Sequence, residues 1–96
     1  MDFQLVYSAP ALADLEAIAG WSWGEHPHST DRFTSSLLDH VELLKSFPYL
    51  GSRVRSRPGV RRLTHSPFHV YYHVDPEQRR VEIVRFRHAS RRSPQL

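Results

Sequence analysis

The chain has 96 residues, of which 40% are hydrophobic, and a formal net charge of +3. This composition supports one compact domain over residues 1–96 and leaves little room for a second core. The absence of cysteine excludes disulfide bonds and cysteine-ligated metal, and no segment reaches the roughly 20 apolar residues of a membrane-spanning helix. Because the N-terminus lacks the basic and apolar stretches of a signal peptide, we expect a cytoplasmic protein.

The net charge conceals a division between the two halves of the chain. Up to Pro48 there are seven acidic residues and two basic ones, whereas from Tyr49 onward there are eleven arginines and three acidic residues. This asymmetry predicts a polyanionic or acidic partner for the C-terminal half. The alternative is that arginine replaces lysine through genomic base composition, and the single lysine, Lys45, is consistent with that interpretation.

The first elements in chain order are a strand and a helix. In residues 3–7, Phe3, Leu5 and Tyr7 recur at every second position and would share one face, which predicts a short strand. Ser8 is a candidate N-cap and Pro10 suits the first turn, so a helix is predicted to begin there and to end by Pro27. Its early acidic residues, Asp14 among them, are expected to interact favourably with the positive, N-terminal end of the helix dipole.

A second helix is predicted to begin at a cap on Ser29 and to stop at Phe47-Pro48. Its apolar side chains recur at helical spacing, so the two helices should pack as an antiparallel hairpin. Residues 48–59 have no period, and they contain two prolines and two glycines. They are predicted to be a loop.

Three alternating segments follow, at residues 60–65, 68–74 and 80–88. The short turns between them predict an antiparallel three-strand meander. In the last strand the apolar residues change face between Ile83 and Val84. This change predicts either a central strand covered on both faces or a bulge that resets the register.

The predicted fold class is therefore α+β. An N-terminal strand and an antiparallel helical hairpin pack on an antiparallel sheet formed mainly by the C-terminal meander, and residues 90–96 are expected to be a flexible tail.

Several short motifs occur in a characteristic order along nearly the whole chain. They are Ala11-x-x-Asp14-Leu15-x-x-Ile18, Pro48-x-x-Gly51, Arg62-Leu63, Phe68-x-Val70-x-Tyr72-x-Val74, Val81-x-Ile83 and His88-x-x-Arg91. With this order of elements, the chain resembles the RelE/ParE superfamily of type II toxin–antitoxin toxins. The resemblance implies a bacterial toxin in a hetero-oligomer with a cognate antitoxin, whose acidic, amphipathic C-terminal segment wraps the toxin.

The superfamily contains two mechanisms, and the resemblance is closer to ParE. RelE-like members are ribosome-dependent, metal-independent mRNA endonucleases, whereas ParE-like members inhibit DNA gyrase by binding. The strand-three arginine of RelE-like members maps to His69, which is largely neutral at pH 7 and cannot make a forked phosphate contact. In addition, His88 is followed by Ala89 and Ser90 instead of a tyrosine. A gyrase-binding, non-enzymatic toxin is therefore favoured, with the endonuclease and a non-toxic binding module of the same fold as alternatives.

The site residues follow from the resemblance and from the charge pattern. No catalytic residue or cofactor is favoured. A metal site is not favoured either, because His26 and His28 have no carboxylate cluster and His69 and His73 lie roughly 13 Å apart along a strand. The predicted target-binding residues are Arg85, Arg87, His88, Arg91 and Arg92. The predicted antitoxin-binding residues are Trp21, Arg61, Arg62 and Tyr71. In the nuclease alternative the candidates are Arg62, His69, Tyr71, His88 and Arg91.

Each of these residues also has a purely structural interpretation. Arg62 and Arg91 could form surface ion pairs with Glu82 or Asp75, which contribute only about 0–1 kcal/mol. His88 could cap the sheet edge through a ring hydrogen bond to the backbone.

Overall fold

The computed structural model describes residues 2–25 and 30–90, without the side chains of residues 21–25, 30 and 31. Strand β1 (Gln4–Tyr7) precedes helices α1 (Ala9–Glu25) and α2 (Thr30–Glu42), and a 3-10 turn follows at Leu43–Lys45. Strands β2 (Ser52–Arg53), β3 (Arg61–His65), β4 (Phe68–Asp75) and β5 (Arg80–His88) complete the fold. The predicted α+β architecture is confirmed. Neither described helix is long and apolar enough to cross a membrane.

The five strands form one sheet in the order β1-β5-β4-β3-β2. Strands β3, β4 and β5 form the predicted antiparallel meander. Strand β1 lies parallel to β5, with Leu5 opposite Val81, because the helices carry the chain across before the meander begins. The sheet is therefore mixed and not wholly antiparallel.

Ser8 connects the start of α1 to the sheet. Its Oγ accepts a hydrogen bond from the Ala11 N–H at 3.1 Å and donates one to the Val84 carbonyl at 2.9 Å. The prediction of Ser8 as an N-cap is thus confirmed, and the same hydroxyl also holds α1 against β5. The predicted cap of the second helix, Ser29, lies outside the described residues.

A β-bulge lies at Val84. Tyr71 of β4 is opposite Arg85 and Tyr72 is opposite Ile83, so Val84 is an extra residue in β5. The insertion returns Phe86 to the same face as Ile83, and both side chains are buried. Of the two predicted explanations for the change of face, the bulge is confirmed.

The prediction that residues 48–59 form a loop without regular structure is wrong at one place. Ser52 and Arg53 form the edge strand β2, paired antiparallel with Arg62 and Arg61 of β3. Two residues are too few to show a period of two, so alternation could not reveal this strand. Instead Gly51 positions it by donating its N–H to the buried Tyr72 hydroxyl at 2.8 Å.

The hydrophobic core lies between the two helices and one face of the sheet. Its members are Ala11, Ile18, Leu37, Val41, Leu44, Leu63, Phe68, Val70, Tyr72, Val81, Ile83 and Phe86. The strand residues among them share a face by register and alternation. Residues of opposite parity point to the other side of the sheet, where neither described helix contributes to the core.

Candidate functional site

The sheet face turned away from the helices carries a basic cluster. Arg62, Tyr71 and Arg85 form one row across β3, β4 and β5, and Thr64, His69 and Arg87 form the next row. We call these six residues the basic face. It contains three arginines, and the next row of the same sheet face holds one carboxylate, Glu82, so the excess of positive charge suits an anionic partner group.

Arg85 is held by Asp14 of α1. Its Nε donates to Asp14 Oδ2 at 2.7 Å and its Nη2 donates to Asp14 Oδ1 at 3.0 Å, so the pair is bidentate. Asp14 Oδ2 also accepts the Phe86 N–H at 2.9 Å. Hydrogen bonding to Asp14 raises the pKa of Arg85, although burial opposes this shift. The Arg85 guanidinium is therefore already bonded to a carboxylate of its own chain. Its role in target binding stays a prediction.

Sequence reasoning assigned Asp14 to the helix dipole and to a family motif, but it missed this contact. Asp14 lies beyond the first turn of α1, and its carboxylate contacts β5 past the end of β1. There Asp14 accepts a hydrogen bond from the Phe86 N–H, a backbone donor that would otherwise pair with a neighbouring strand. The available signal was the Ala11-x-x-Asp14-x-x-x-Ile18 spacing, because Ala11 and Ile18 are buried in the core.

Arg62 and Arg87 differ from Arg85 in having unsatisfied donors. The Nε atom of each is buried and has no hydrogen-bond partner among the described residues. A buried, unpaired charged donor is costly, but a partner cannot reach an atom that has no solvent exposure. Both side chains are half-buried as a whole, and neither pairs with a carboxylate among the described residues, so these two arginines are the cations of the basic face that suit an external anion.

His69 and Tyr71 lie between these arginines. His69 Nδ1 is 3.0 Å from Thr64 Oγ1, and the His69 and Tyr71 rings are edge to face at 6.3 Å. Burial, together with the positive charge of Arg62, lowers the pKa of His69, so this ring is largely uncharged at pH 7. Only 3% of Tyr71 is exposed. The phenol therefore contributes to packing on this face more than to contact with a substrate.

Arg61 and His88 lie on the opposite, helix-facing side of the sheet. Arg61 is opposite Tyr72, and its Nη1 donates to the Gly51 carbonyl at 2.6 Å. His88 is opposite Phe68, and its Nδ1 accepts the Ser90 N–H at 3.1 Å. This ring-to-backbone bond is the capping arrangement that was the structural alternative for His88.

The structure thus brings Arg62, His69, Tyr71, Arg85 and Arg87 together on one face of the sheet and places Arg61 and His88 on the other, although Arg87 and His88 line one cavity with Asp14. Arg91 and Arg92, the side chain of Trp21, and both His26 and His28 lie outside the described part, so their roles stay predictions. Glu82 does not pair with Arg62 but contacts His73 at 2.7 Å. Within residues 2–25 and 30–90 no three potential ligands are grouped to bind a metal.

A histidine pair between α2 and β3 escaped sequence reasoning because its members are 25 residues apart. His40 Nδ1 and His65 Nδ1 are 2.9 Å apart, and Ser36 Oγ lies 3.4 Å from His65 Nε2. Burial and the proximity of His40 lower the pKa of His65. A proton is therefore bound less readily at His65 in the folded state than in the unfolded state.

We expect stability to fall as the pH is lowered from about 7 to about 5. His65 and His69 both have lowered pKa values, so below about pH 6.5 the unfolded chain binds protons that the folded chain does not. The loss of stability is complete once the pH lies below the folded-state pKa values of both histidines. Melting temperatures of the wild type and of a His65→Gln, His69→Gln double variant measure it. The double variant should show a shallower decline, and equal slopes would contradict the assignment.

Residues 5–93 match the family described as the ParE toxin of the type II toxin-antitoxin system, parDE. No curated protein is significantly similar in sequence.

Solved structures of similar fold include toxins of this type. A chromosomal ParDE toxin–antitoxin system from P. aeruginosa aligns with a TM-score of 0.79 and 25% identity, covering 92% of this chain and 97% of that one. A RelBE toxin–antitoxin complex from Mycobacterium tuberculosis has a TM-score of 0.70 and 20% identity, with coverages of 92% and 99%. A free mutant of the E. coli RelE toxin has a TM-score of 0.69 and 16% identity, with coverages of 94% and 86%. The last two likenesses show the fold alone.

Proposed function

The chain belongs to the ParE toxin family of type II toxin–antitoxin systems, and on that premise we propose that it inhibits DNA gyrase by binding. A cognate antitoxin neutralises it. The observation that supports the binding role is the presence on the basic face of two half-buried arginines, Arg62 and Arg87, whose Nε atoms have no partner among the described residues. Family membership supports the choice of gyrase by analogy, since a fold does not by itself determine a function.

The geometry of the basic face supports binding better than RNA cleavage. Metal-free cleavage needs a base for the 2′-OH, an acid for the leaving oxygen and free cations around the phosphorane. Tyr71 is almost fully covered, and Arg85 is occupied by Asp14. Among the predicted nuclease residues described on this face, His69 alone remains as an accessible proton carrier. A single such group does not provide both the acid and the base.

The antitoxin is proposed to contact both sides of the β2 edge. Arg61 and Arg62 are consecutive in β3 and point to opposite faces of the sheet, and both are opposite residues of β2. A partner segment that contacts both arginines must therefore pass around this short edge strand. An extended, acidic, amphipathic segment suits such a path, because it can order on binding and add main-chain hydrogen bonds to the sheet edge.

Inhibition of DNA supercoiling by purified gyrase tests the proposed function directly. We expect the wild-type chain to inhibit supercoiling, and we expect DNA damage response and filamentation with intact mRNA after induction in a bacterium. Rapid transcript cleavage with arrested translation would instead establish the endonuclease alternative, for which the grouping of Arg62, His69 and Arg87 is the favouring observation. Normal growth after induction of folded protein would indicate a non-toxic binding module.

Arginine variants locate the target-binding surface. Arg87→Ala, and separately the double variant Arg91→Ala, Arg92→Ala, should lose inhibition because each removes predicted target-binding cations of the C-terminal half of the chain. Arg80→Ala is the matched control, since Arg80 is an exposed arginine near the start of β5. The control should keep inhibition, and its stability should change by no more than about 0.5 kcal/mol. Full inhibition by all the variants would exclude Arg87, Arg91 and Arg92 from the binding surface.

A further inference from the structure

His40 of α2 and His65 of β3 face each other directly. Their Nδ1 atoms are 2.9 Å apart, and their ring centroids are 5.1 Å apart. In each of the other three described histidines a ring nitrogen lies near an oxygen atom instead: His69 near Thr64, His73 near Glu82 and His88 near Ser90. Within residues 2–25 and 30–90, two imidazole nitrogens therefore converge at this histidine pair alone.

Packing fixes both rings of the histidine pair. His65 lies edge to face with the Phe33 ring at a centroid distance of 5.8 Å, and both histidines are half-buried. Two α2 residues beside the pair, Leu37 and Val41, are fully buried in the core. Because the two imidazoles come from elements that the core already holds, binding a ligand between them costs little conformational entropy.

The histidine pair has no charged partner within the described part of the chain. None of the ion pairs there joins a carboxylate to His40 or His65. Two protonated rings at this separation would repel each other without compensation, so neutral imidazoles are favoured. A neutral imidazole has a free lone pair on one nitrogen, and this is the form that binds a transition-metal ion.

The spacing of the two Nδ1 atoms suits a metal ion bound by both. An ion at about 2.0–2.1 Å from each nitrogen, the usual metal–imidazole distance, would be bound at an angle of about 90° when the nitrogens are 2.9 Å apart. Neighbouring ligands make this angle in square-planar or tetragonal copper(II) and nickel(II) sites. Tetrahedral zinc requires a wider angle, and a structural zinc site requires four protein ligands.

Ser36 provides a supporting contact for His65. Its Oγ lies 3.4 Å from His65 Nε2, the ring nitrogen that faces away from His40. When Nδ1 binds a metal ion, the ring proton resides on Nε2, and metal-ligating histidines usually donate this proton to a neighbouring acceptor. The Ser36 hydroxyl is such an acceptor. Since Ser36 lies four residues before His40, one face of α2 carries both a ligand and the supporting group.

We propose that His40 and His65 form an open binding site for a divalent transition-metal ion, with copper(II) bound most tightly. Water completes the coordination of the ion, because the described residues offer no third histidine, cysteine or carboxylate at this place. Copper(II) is preferred because it ranks highest in the general affinity order of divalent first-row metals. The bound ion joins α2 to β3. This binding goes beyond the proposed function and does not depend on it.

Isothermal titration calorimetry of the purified, metal-free full chain with copper(II), nickel(II) and zinc(II) chlorides tests the site. We expect one ion to bind per chain at neutral pH, with copper(II) bound most tightly. A His40→Gln, His65→Gln double variant should bind copper(II) at least about tenfold more weakly. Two matched double variants, His69→Gln with His73→Gln and His26→Gln with His28→Gln, should bind copper(II) as the wild type does. The second of them covers the histidines outside the described residues.

Two further measurements keep the test independent of the folding of the variant. Nickel(II) should raise the melting temperature of the wild type, because the two ligands lie together only in the folded chain. Electron paramagnetic resonance of the wild-type copper(II) complex should show hyperfine coupling to two imidazole nitrogens. A copper(II) spectrum with one nitrogen ligand or none would overturn the site even if the His40, His65 variant did not fold.

The titrations also have outcomes that contradict the site. Equal copper(II) affinities of the wild type and the folded His40, His65 variant would overturn it. So would a loss of binding confined to the His26, His28 variant, because the ion would then bind elsewhere in the chain. Binding by the wild type at millimolar copper(II) only would show adventitious binding and would also overturn the proposal.

Discussion

Replacing Asp14 by alanine should lower the free energy of unfolding by about 3 kcal/mol, in the range measured when one partner of a buried ion pair is removed. The substitution leaves the partly buried Arg85 guanidinium without its bidentate acceptor and the Phe86 N–H without its acceptor. Because α1 contacts this part of β5 through Asp14, the helix of the variant should also shield the unpaired edge of β5 less well from solvent. Urea unfolding followed by circular dichroism measures the change in stability.

Two variants of α1 test the origin of this effect. Glu16→Ala removes an exposed carboxylate from the same helix and should change stability by no more than about 0.5 kcal/mol. Asp14→Asn keeps one oxygen acceptor but removes the charge, so its loss should lie between those of Glu16→Ala and Asp14→Ala. Equal stabilities of the Asp14→Ala and Glu16→Ala variants would show that the contact with Arg85 and Phe86 does not hold α1 on the sheet.

Replacing Gly51 by alanine should destabilise the protein by about 2–3 kcal/mol, a typical cost of overpacking a well-packed site. A Cβ at this position would lie 2.7 Å from the Arg62 carbonyl oxygen and 2.8 Å from the Tyr72 hydroxyl. The Arg62 oxygen belongs to the backbone of β3 and cannot rotate away, so β2 must shift. The shift would also weaken the bond from the Gly51 N–H to Tyr72. The midpoint of thermal unfolding reports this loss.

Gly20→Ala is the matched control for this substitution. Gly20 lies in α1, and a Cβ built there meets no atom within 4 Å. Alanine at a free helical position should stabilise the protein by roughly 0.5–1 kcal/mol. The two glycine substitutions are thus expected to have opposite signs. A neutral Gly51→Ala would mean that β2 can move away from β3 without cost.

Tyr72→Phe separates the hydrogen bond at Gly51 from the steric contact. The phenylalanine ring occupies the same core position, but the buried Gly51 N–H loses its acceptor, at a cost of about 1–3 kcal/mol. Urea unfolding measures this loss of stability. Wild-type stability in Tyr72→Phe would show that the hydrogen bond from Gly51 does not hold β2 in place.

Local chemistry was sufficient to predict most of the regular elements. Ser8 capped the helix that it was predicted to cap, because capping depends on a side chain and a backbone N–H three residues apart. Strand β4 was predicted within one residue because its alternation extends over eight residues. Strand β2 was missed because it has only two residues. Its position depends on Gly51 and Tyr72, which are 21 residues apart.

The candidate site shows the same division. The arginines of the C-terminal half were identified from charge alone, but Arg85 and Arg87 are equivalent in sequence and different in the fold. Both side chains belong to the basic face, yet Arg85 is bound by a carboxylate 71 residues earlier in the chain. Arg87 has a buried Nε without a partner among the described residues. No local pattern distinguishes them.

The sequence by itself determined the α+β class, the family resemblance, the charge division and the faces of most strands, because each depends on residue type and short-range spacing. The tertiary structure decided which arginine of the basic face pairs with a carboxylate, which face each described site residue occupies, and where the bulge at Val84 resets the register. It also placed His40 beside His65, 25 residues away in the sequence. These features depend on contacts between residues distant in the chain, and such contacts exist only once the core has brought the elements together.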